Sequence, residues 1–507
     1  MTRSRASWLG GRALPSHEGR APSACLPRPE ADDTPLGRAI APRVARHPGL
    51  AGIHALADAY DAFAARMLLA RAAQRTLDVQ YYIWHDDMTG TLLLEALHQA
   101  AERGVRVRLL LDDNGTSDLD ATLAALAQHP HIEVRLFNPF VVRRPKVIGY
   151  LTDFKRLNRR MHNKSFTADN QVTILGGRNV GDEYFGATDS VLFADLDVLA
   201  VGPVVQEVCA DFDRYWNSPP AYPVEQILGA APAGELGRLA RTARRLEGDP
   251  KADAYIKVLS QTPLVHQLLQ GELPLEWSPA SMVSDDPAKT LGQARPEALL
   301  TYQLKTVIGE PQAHVDLVSP YFVPTTQGTE AFCALARRGV QVRVLTNALE
   351  ATDVSAVHSG YARRRKDLLA SGVQLFEMRR TGGAMQRNRS LGPFGSSGSS
   401  LHAKTFAIDG HSVFVGSFNF DPRSAHLNTE LGVVIESPAL AQSICQSFDT
   451  QIPAGAYHVR LDERGRLYWL EPTTGGTFIR HDREPGASLW QRFAVWILSL
   501  LPLESQL

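Results

Sequence analysis

The stretch RGVRVRLL, at residues 103–110, returns in the second half of the chain as RGVQVRVL, at residues 338–345. Each copy follows an Ala- and Leu-rich helical pattern, and the Gly is the residue type that most often ends a helix. The apolar residues after the Gly predict a buried strand, and an earlier strand precedes each helix, at residues 77–84 and 315–323. This repeat predicts two α/β halves that pack together.

The composition is that of a large globular protein. The chain has 507 residues, of which 53 are basic, 54 are acidic and 44% are hydrophobic. This length permits two sizeable cores, and the hydrophobic content excludes global disorder. A net charge of −1 excludes nucleic-acid binding through overall basicity, although it is compatible with a local basic cleft. Only nine of the basic residues are lysines, so a lysine at matching positions of a repeat carries more weight than an arginine.

The cysteines and the N-terminal residues bear on the cellular compartment. Cys25, Cys209, Cys333 and Cys445 are far apart and form no C-x-x-C pair, which argues against a disulfide scaffold or a zinc ribbon and suits a reducing compartment. Residues 1–30 are rich in Arg, Pro and Gly, which predicts a flexible extension and not a signal peptide. No apolar run reaches the ~18–20 residues that a bilayer span needs.

Shifts in composition place the domain boundaries. Two segments leave alternatives open. Residues 381–400 have the composition of a mobile loop, which is either a lid or an inert insertion, and the Trp-rich helix at 489–501 either lies at a membrane interface or docks on the core. The predicted units are a flexible extension at 1–50, a first α/β domain at 51–220, a connector at 221–295, a second α/β domain at 296–455, and a C-terminal β-hairpin with the apolar helix at 456–507.

A second repeat carries the chemistry. HNKSFTAD at residues 162–169 precedes GGRN at 176–179, and HAKTFAID at 402–409 precedes GSFN at 416–419. The two copies share six fixed positions, which are His, Lys, Phe, Asp, Gly and Asn, and such a pattern arises by chance on the order of once in ten million starts. The repeated residues are His162, Lys164, Asp169 and Asn179 in the first half, and His402, Lys404, Asp409 and Asn419 in the second.

These residue types suit a site for a tetrahedral anion. In a strand, residues i and i+2 project from the same face, so the His and Lys of each copy are predicted to point together. The Lys charges and Asn amides stabilise phosphoryl oxygens, while one His attacks phosphorus and the other protonates the leaving alkoxide. We expect no metal and no other cofactor, because neither half shows the carboxylate cluster of a magnesium site.

Carboxylates complete the predicted site. An imidazole that reacts through one nitrogen needs an acceptor on the other, and an acidic residue enters an apolar strand after each Asn. We assign Asp195 and Glu430 as the orienting carboxylates, with Asp197 as the alternative in the first half. The strand-end positions of Asp169 and Asp409, which we group with the catalytic motif, favour bracing through bonds to backbone or Ser/Thr groups.

The two H-x-K-x4-D motifs, each followed by G-[GS]-x-N, resemble the phospholipase D superfamily. Further segments are similar to the bacterial C-type cardiolipin synthases within it, and the similarity covers over nine-tenths of the chain, from about Pro35 to the C-terminus. Gly177 departs from the Ser that many family motifs have. These segments are YYIWHDDMTG, RLNRRMHNKSFTADNQ, GGRNVGDEYFG, FADLDVLAVGP, SPYFVP, SLHAKTF and GSFNFDPRSAHLNTELGVVI.

The resemblance implies two phospholipase D-like α/β/α sandwich domains, related by pseudo-twofold symmetry, with one active site at their interface. It also implies a phosphatidyltransferase that makes cardiolipin from phosphatidylglycerol and a second phospholipid, phosphatidylethanolamine or phosphatidylglycerol. The first-motif histidine, here His162, is the usual nucleophile, which leaves His402 as acid and base. The implied location is the bacterial inner membrane, with peripheral attachment on the cytoplasmic face.

Three rival functions compete with this assignment. A phospholipase D that hydrolyses lipid to phosphatidic acid differs only in its acceptor. A non-enzymatic lipid-binding scaffold would require a broken motif, whereas both copies are intact. A nuclease would require a basic groove, which residues 143–160 could supply, but the interleaved apolar residues favour an anionic lipid surface over DNA. A solvated charged face is the alternative for that stretch. We therefore expect phospholipids and an anionic membrane surface as partners and no nucleic acid, and leave the need for an accessory protein open.

Overall fold

The computed structural model describes residues 14–16, 20–188, 193–248, 255, 257, 264–352, 355–380, 400–473 and 475–500. Apart from Ser400, the segment predicted as a lid or insertion lies outside these residues.

The predicted α/β class is confirmed, and the two halves are built around two large sheets. The first sheet has the strand order β10-β1-β8-β6-β5-β2-β3-β4-β9. Its strands are β1 (Ala51–Leu56), β2 (Thr76–Ile83), β3 (Arg106–Gly115), β4 (Ile132–Phe137), β5 (Ser165–Ala168), β6 (Val172–Gly176), β8 (Asp197–Val201), β9 (Ala221–Pro223) and β10 (Glu276–Ser278).

The second sheet repeats this arrangement, with the order β11-β18-β17-β16-β12-β13-β14-β19-β20-β21. A short parallel pair, β7 (Phe193–Ala194) with β15 (Ser400–Leu401), joins the two halves. The strands of the second sheet are β11 (Ala280–Ser284), β12 (His314–Val318), β13 (Gln341–Asn347), β14 (Gln374–Met378), β16 (Thr405–Ile408), β17 (Ser412–Gly416), β18 (Leu431–Glu436), β19 (Ala456–Leu461), β20 (Leu467–Pro472) and β21 (Phe478–His481).

Helices flank both sheets. The first half and the connector contain α1 (Arg28–Asp32), α2 (Pro35–Ala45), α3 (Ala59–Ala72), α4 (Met88–Glu102), α5 (Asp120–Leu126), α6 (Val147–Thr152), α7 (Phe154–Leu157), α8 (Asp182–Phe185), α9 (Pro203–Trp216), α10 (Val224–Ile227), α11 (Glu235–Glu247) and α12 (Leu264–Leu269). The second half contains α13 (Leu300–Ile308), α14 (Thr325–Arg337), α15 (Ser355–Ala362), α16 (Arg365–Ala370), α17 (Pro422–His426), α18 (Pro438–Asp449), α19 (Gln451–Gly455) and α20 (Leu489–Leu500).

The repeated stretch forms β3 and β13 at the centre of the sheets. Each pairs in parallel with the strand before it, so that Leu77 lies opposite Val107 and Val315 opposite Val342. The helix between them, α4 or α14, provides the crossover that a parallel pair requires. The spatial order β8-β6-β5-β2-β3-β4 therefore has an exact counterpart in β18-β17-β16-β12-β13-β14.

An apolar interface holds the two sheets together. Buried residues of β6 and β8 in the first half, such as Leu175 and Val198, belong to one core cluster with Val413 and Val433 of the second half. Because β6 and β17 follow the motif strands β5 and β16, this shared core brings the two motifs to a common boundary.

The N-terminal segment differs from the predicted flexible extension. Within residues 20–50 the chain forms α1 and α2 and packs on the first half. The Arg20 guanidinium donates to the carbonyl oxygens of Ser218 and Ala221, and the Cys25 amide donates to Asp213 on α9. These contacts join residues nearly 200 positions apart, which composition does not reveal.

The C-terminal residues extend the second half. β19 adds to β14, and β20 and β21 continue the sheet as antiparallel strands. α20 packs on α15 through the buried Val495, but Trp490 on the same helix is 80% exposed. Among the described residues, none of the helices combines the length and the apolarity needed to cross a bilayer.

Candidate active site

The backbone at the start of each motif is hydrogen-bonded to the opposite half of the molecule. The His162 amide donates to the carbonyl oxygen of Thr429, and the His402 amide donates to that of Ala194. The strands β5 and β16 start only at Ser165 and Thr405, so the predicted strand does not include the histidines and lysines. The reason is that the backbone before each strand pairs across the interface and not with its own sheet.

The orienting carboxylates also cross the interface. His162 Nδ1 lies 2.8 Å from Glu430 Oε2, and His402 Nδ1 lies 2.6 Å from Asp195 Oδ2. A carboxylate accepts the proton on Nδ1, which leaves the Nε2 lone pair of a neutral imidazole available for reaction. Each half therefore supplies one histidine and the carboxylate that orients the histidine of the other half.

Asp197 is excluded as the alternative orienting residue. Its carboxylate bonds to the Arg66 guanidinium at 2.7 Å and accepts from the Arg178 amide. Asp197 begins β8, two residues after Asp195, and faces a buried ion pair with α3. The first half therefore offers Asp195 to the site.

Both lysines are buried beside their histidines. Lys164 Nζ donates to the His162 carbonyl oxygen at 2.5 Å. Lys404 Nζ donates to the His402 carbonyl oxygen and lies 3.0 Å from His402 Nδ1. The two ammonium groups therefore place positive charge near both imidazoles.

A cavity of about 400 Å³ contains the reactive groups. Both histidines and both motif asparagines reach it, so residues that are 240 positions apart in the sequence share one space. The lining residues are Tyr82, Ile83, His162, Asn179, Tyr184, Phe193, Tyr321, Val357, His402, Asn419, Asp421, Arg423, Ser424 and Asn428.

The two asparagines are held differently. Asn179 Oδ1 accepts from the Ile83 amide, and its Nδ2 donates to the Tyr184 hydroxyl. Asn419 Oδ1 is buried and has no hydrogen-bond partner among the described residues. An amide with an unsatisfied polar atom on a cavity wall is suited to a polar ligand.

Asp169 and Asp409 lie away from this cavity and brace the backbone. Asp169 accepts from the amides of residues 74–76, and Asp409 accepts from those of residues 312–314. Each carboxylate thereby fixes the chain where it enters the central strand, β2 or β12. The structure thus gives these two motif residues a bracing position and not a place among the lining residues.

Electrostatics keep both imidazoles neutral at pH 7. Burial, followed by the charges of Lys164 and Lys404, holds the pKa of His162 well below its usual range. Burial and Lys404 lower the pKa of His402 to about 4, although the neighbouring Asp195 opposes them. Burial also lowers the pKa of Lys164 well below that of a free lysine. An anionic ligand would reverse these shifts, because negative charge favours each protonated form.

The pKa values of the two orienting carboxylates are shifted in opposite directions. Burial raises the pKa of Glu430 to about 7, against the opposing effects of Lys164 and the Ser417 hydroxyl. For Asp195, burial is outweighed by His402 and Lys404, and the pKa falls to about 2. At neutral pH, Asp195 is therefore fully ionised and Glu430 is partly protonated.

Gly177 is explained by the carboxylate beside it. A Cβ atom at this position would lie 2.2 Å from Asp195 Oδ1, so the Asp195 carboxylate occupies the space of a side chain. In the second half, Ser417 donates its hydroxyl to Glu430 Oε2 at 2.5 Å. The first half thus pairs Gly with the shorter acid, and the second half pairs Ser with the longer one.

Several site residues were missed by the motif argument. The Tyr82 ring stands edge-on to His162 at 4.9 Å between centroids, and Tyr184 and Phe193 lie 5.1 Å from the ring of His402. These aromatic residues stand inside the quoted family segments, on β2, α8 and β7, and the spacing of the motif gives no signal for them. Asp421 also lines the cavity, and burial raises its pKa to about 7.

Among the residues that the structure describes, two groups of three side chains lie close enough together to hold a metal ion. One is His85, Asp87 and Glu183, and the other is Cys25, Asp78 and Cys209. Neither group contains a residue of the repeated motif.

Comparisons with known proteins agree with this geometry. The sequence family described as "Cardiolipin synthase, PLD-like domain" matches residues 68–216 and 304–452, which are the two halves of the repeat. The chain is 49% identical to cardiolipin synthase C of Escherichia coli K12 over 92% of this chain and 99% of that protein. It is 26% identical to cardiolipin synthase B of the same organism over 81% of this chain and 83% of that protein.

A solved structure supports the fold. Phosphatidylserine synthase of Haemophilus influenzae Rd KW20 superposes with a TM-score of 0.53 at 15% sequence identity, covering 84% of this chain and 92% of that chain. At this identity the likeness concerns the fold alone. The family match over more than half of the chain, together with the 49% identical relative, shows that this chain belongs to the cardiolipin synthase family of PLD-like domain proteins.

Proposed function

We propose that the protein is a phosphatidyltransferase that forms cardiolipin from phosphatidylglycerol and a second phospholipid, phosphatidylethanolamine or phosphatidylglycerol. The observation that carries this proposal is the crossed pairing of His162 with Glu430 and of His402 with Asp195 at one cavity. Two neutral imidazoles, each held through Nδ1, give one nucleophile and one proton carrier on the same phosphate.

In the first step, His162 Nε2 attacks the phosphorus of the donor lipid. A P–N bond forms while the bond from phosphorus to the head-group oxygen breaks, and His402 gives its Nε2 proton to that oxygen. His402 must be protonated to imidazolium before it can donate this proton. The negative charges of the donor phosphate and of the ionised Asp195 stabilise that imidazolium. Lys164 and Lys404 offset the charge that develops on the phosphoryl oxygens.

In the second step, a phosphatidylglycerol hydroxyl replaces the departed alcohol. His402, now neutral, takes the hydroxyl proton, the oxygen attacks phosphorus, and the P–N bond breaks to restore His162. If water enters instead, the same sequence releases phosphatidic acid. The product is therefore decided by which acceptor reaches the cavity.

The two histidines differ in ways that favour this assignment. The resemblance implies the first-motif histidine as nucleophile, and the low pKa of His162 keeps its attacking nitrogen free of protons. His402 stands beside Asp195, which is ionised at neutral pH and so favours a transient imidazolium. Glu430, which is partly protonated, supports a positive charge on His162 less well.

The lipid substrates place the protein at a membrane. We propose peripheral attachment to the cytoplasmic face of the bacterial inner membrane, with an anionic bilayer as the surface that it meets. Two arginines of the basic stretch before the first motif are neutralised by carboxylates: Arg143 pairs with Asp113 and Asp120, and Arg160 pairs with Asp112. These pairs argue against the nuclease alternative.

The test is a product assay with purified protein. Phosphatidylglycerol is supplied alone and with phosphatidylethanolamine, the His162→Ala variant serves as the control, and products are identified by mass spectrometry. Cardiolipin that depends on His162 supports the proposal, and the mixture with more product identifies the donor. Phosphatidic acid as the sole product would leave the hydrolase and overturn the synthase.

A further inference from the structure

We propose that α6 and α7, with the cations beside them, form the surface that docks on an anionic phospholipid bilayer and brings the cavity to the level of the lipid head groups. This inference rests on the proposed function for its substrate and adds where the membrane lies. The α6–α7 surface is defined here as residues 144–159.

Apolar side chains project from this surface into solvent. Leu151 is 84% exposed, Val147 62% and Phe154 54%, and Ile148 is also exposed. Four large apolar side chains on eight consecutive residues are unusual for a surface that faces only water. A segment of this kind lowers its free energy by entering the boundary between head groups and acyl chains.

Cations flank these apolar residues, and only some of them are paired: Lys146 pairs with Asp113 and Arg156 with Asp153. Within the described part of the chain, Arg144 and Lys155 are exposed and have no hydrogen-bond or ion-pair partner. Lys155 also lines a second cavity of about 360 Å³ with Arg156 and Arg159. Asp153 contributes a single carboxylate to that cavity, so the charge of its lining is positive and complements phosphate head groups.

Hydrogen bonds connect the α6–α7 surface to the active site. The Tyr150 hydroxyl on α6 donates to Asn114 Oδ1 at 2.9 Å, and Asn114 Nδ2 donates to the hydroxyl of Tyr82, whose ring contacts His162. At the end of α7, Asn158 accepts from the Arg423 guanidinium, which lines the cavity. The surface is therefore a neighbour of the cavity, and a bilayer that meets it lies within reach of the reactive groups.

Vesicle binding by the full-length protein tests this proposal. The vesicles are phosphatidylcholine alone or phosphatidylcholine mixed with phosphatidylglycerol, and binding is measured by sedimentation. Leu151→Ser/Phe154→Ser should lower the partition coefficient by about tenfold or more, as expected for loss of two inserted apolar side chains. Arg144→Ser/Lys155→Ser should lower it by about fivefold per cation on the mixed vesicles alone, and added salt should reduce this difference.

A matched control is available on another surface. Phe478→Ser/Ile479→Ser removes two side chains of β21 that are each 51% exposed, and it should leave vesicle binding as in the natural protein. The proposal would be overturned if this control lost as much vesicle binding as the α6–α7 variants, or if both α6–α7 variants bound vesicles like the wild-type protein. Thermal unfolding of every variant shows whether the fold is intact.

A second readout separates this proposal from the proposed function. The apolar variant should lose far more activity on vesicles than on dispersed short-chain phosphatidylglycerol, because dispersed lipid needs no docking. If the natural protein makes no cardiolipin, the proposed function fails while vesicle binding still decides the docking surface. If activity on both substrates falls equally, the α6–α7 surface acts on the cavity itself and the docking proposal is wrong.

Discussion

In the first half of the molecule Gly177 stands beside Asp195, whereas the second half has Ser417 beside Glu430. Both pairs perform the same geometric task, which is to hold a carboxylate against the histidine of the opposite half. The pKa values of the two carboxylates are nevertheless shifted in opposite directions, to about 2 for Asp195 and to about 7 for Glu430. A duplicated fold can thus place two identical histidines in unequal surroundings, which is what a nucleophile and a proton carrier require.

The largest expected effect comes from removing the histidines themselves. His162→Ala should lower kcat by more than about 10⁴-fold, because the proposed covalent nucleophile is lost. His402→Asn should lower it by about 10²–10⁴-fold, as for loss of a general acid. Labelled donor lipid should leave an acid-labile phosphoenzyme in the natural protein and in larger amount in His402→Asn. Full activity in either variant would contradict the unequal roles of the two histidines.

The orienting carboxylates should rank next, and unequally. Asp195→Asn should lower kcat/KM by about 10²–10⁴-fold, since His402 loses both its tautomer and its ionised partner. Glu430→Gln should cost about tenfold, because the natural residue is already partly protonated at pH 7. Since Glu430 ionises near pH 7, we expect activity to rise with pH through about 7, and this rise should be absent in Glu430→Gln. Equal losses would remove the electrostatic distinction between the halves.

The same two carboxylates should affect stability with opposite signs. The pKa of Glu430 is raised from 4.5 to about 7, so the folded state binds a proton more tightly and stability falls as pH rises through that interval. The pKa of Asp195 is lowered from 3.8 to about 2, so its stabilisation is present above about 4 and is lost as pH falls through about 2. Thermal unfolding at pH 8 should show Glu430→Gln to be more stable by on the order of 1–3 kcal/mol.

Exchange of the small residues gives a more moderate test. Gly177→Ser should lower activity by about tenfold, because the new Cβ displaces the Asp195 carboxylate from His402. Ser417→Gly removes a hydroxyl that lowers the pKa of Glu430. The pH at which activity rises should therefore shift upward, with a smaller loss of activity than in Gly177→Ser. Activity profiles of both variants against pH distinguish the two effects. Wild-type activity in the Gly177→Ser variant would show that the Asp195 carboxylate can accommodate a side chain at position 177.

The C-terminal helix offers a milder comparison with the α6–α7 surface. α20 packs on α15 through Val495, while Trp490 and Phe493 face outward, and Val357 of α15 lines the cavity. If the helix meets the membrane interface, Trp490→Ser/Phe493→Ser should weaken vesicle binding several-fold, to about the extent of one buried aromatic side chain. Natural vesicle binding would favour the docked helix alone.

The smallest effect on catalysis is expected at the bracing aspartates. Asp169→Asn and Asp409→Asn should each cost about 1–3 kcal/mol of stability, because backbone amides lose a charged acceptor. Activity per folded molecule should change by less than about twofold, since neither residue lines the cavity. A loss comparable to that of Asp195→Asn would place these residues in the chemistry.

Much of the fold could be predicted because the chain repeats itself. The Gly that ends a helix before a buried strand identifies β3 and β13, and the His–Lys–Asn spacing identifies the residues that converge. The exchange of carboxylates between halves could not be predicted, because Glu430 and His162 meet across 268 positions. Sequence spacing describes local geometry and carries no record of which half faces which.

Other misses have similar causes. Asp195 and Asp197 are equally acidic and equally close to an apolar strand, and only the buried Arg66 of α3 separates them. The N-terminal segment has a disordered composition, yet Arg20 and Cys25 find partners near the end of the first half. In both cases the deciding contact is made by a residue far along the chain.

The crossed carboxylates also matter while the protein is being made. When a ribosome has synthesised residues 1–216, the nascent chain contains His162, Lys164 and Asn179. It does not yet contain His402 or Glu430. We expect such a nascent chain to be chemically silent, because its nucleophile is not yet oriented and has no proton carrier. We therefore expect activity only after Glu430 has been translated, and a product that ends before this residue should be inactive.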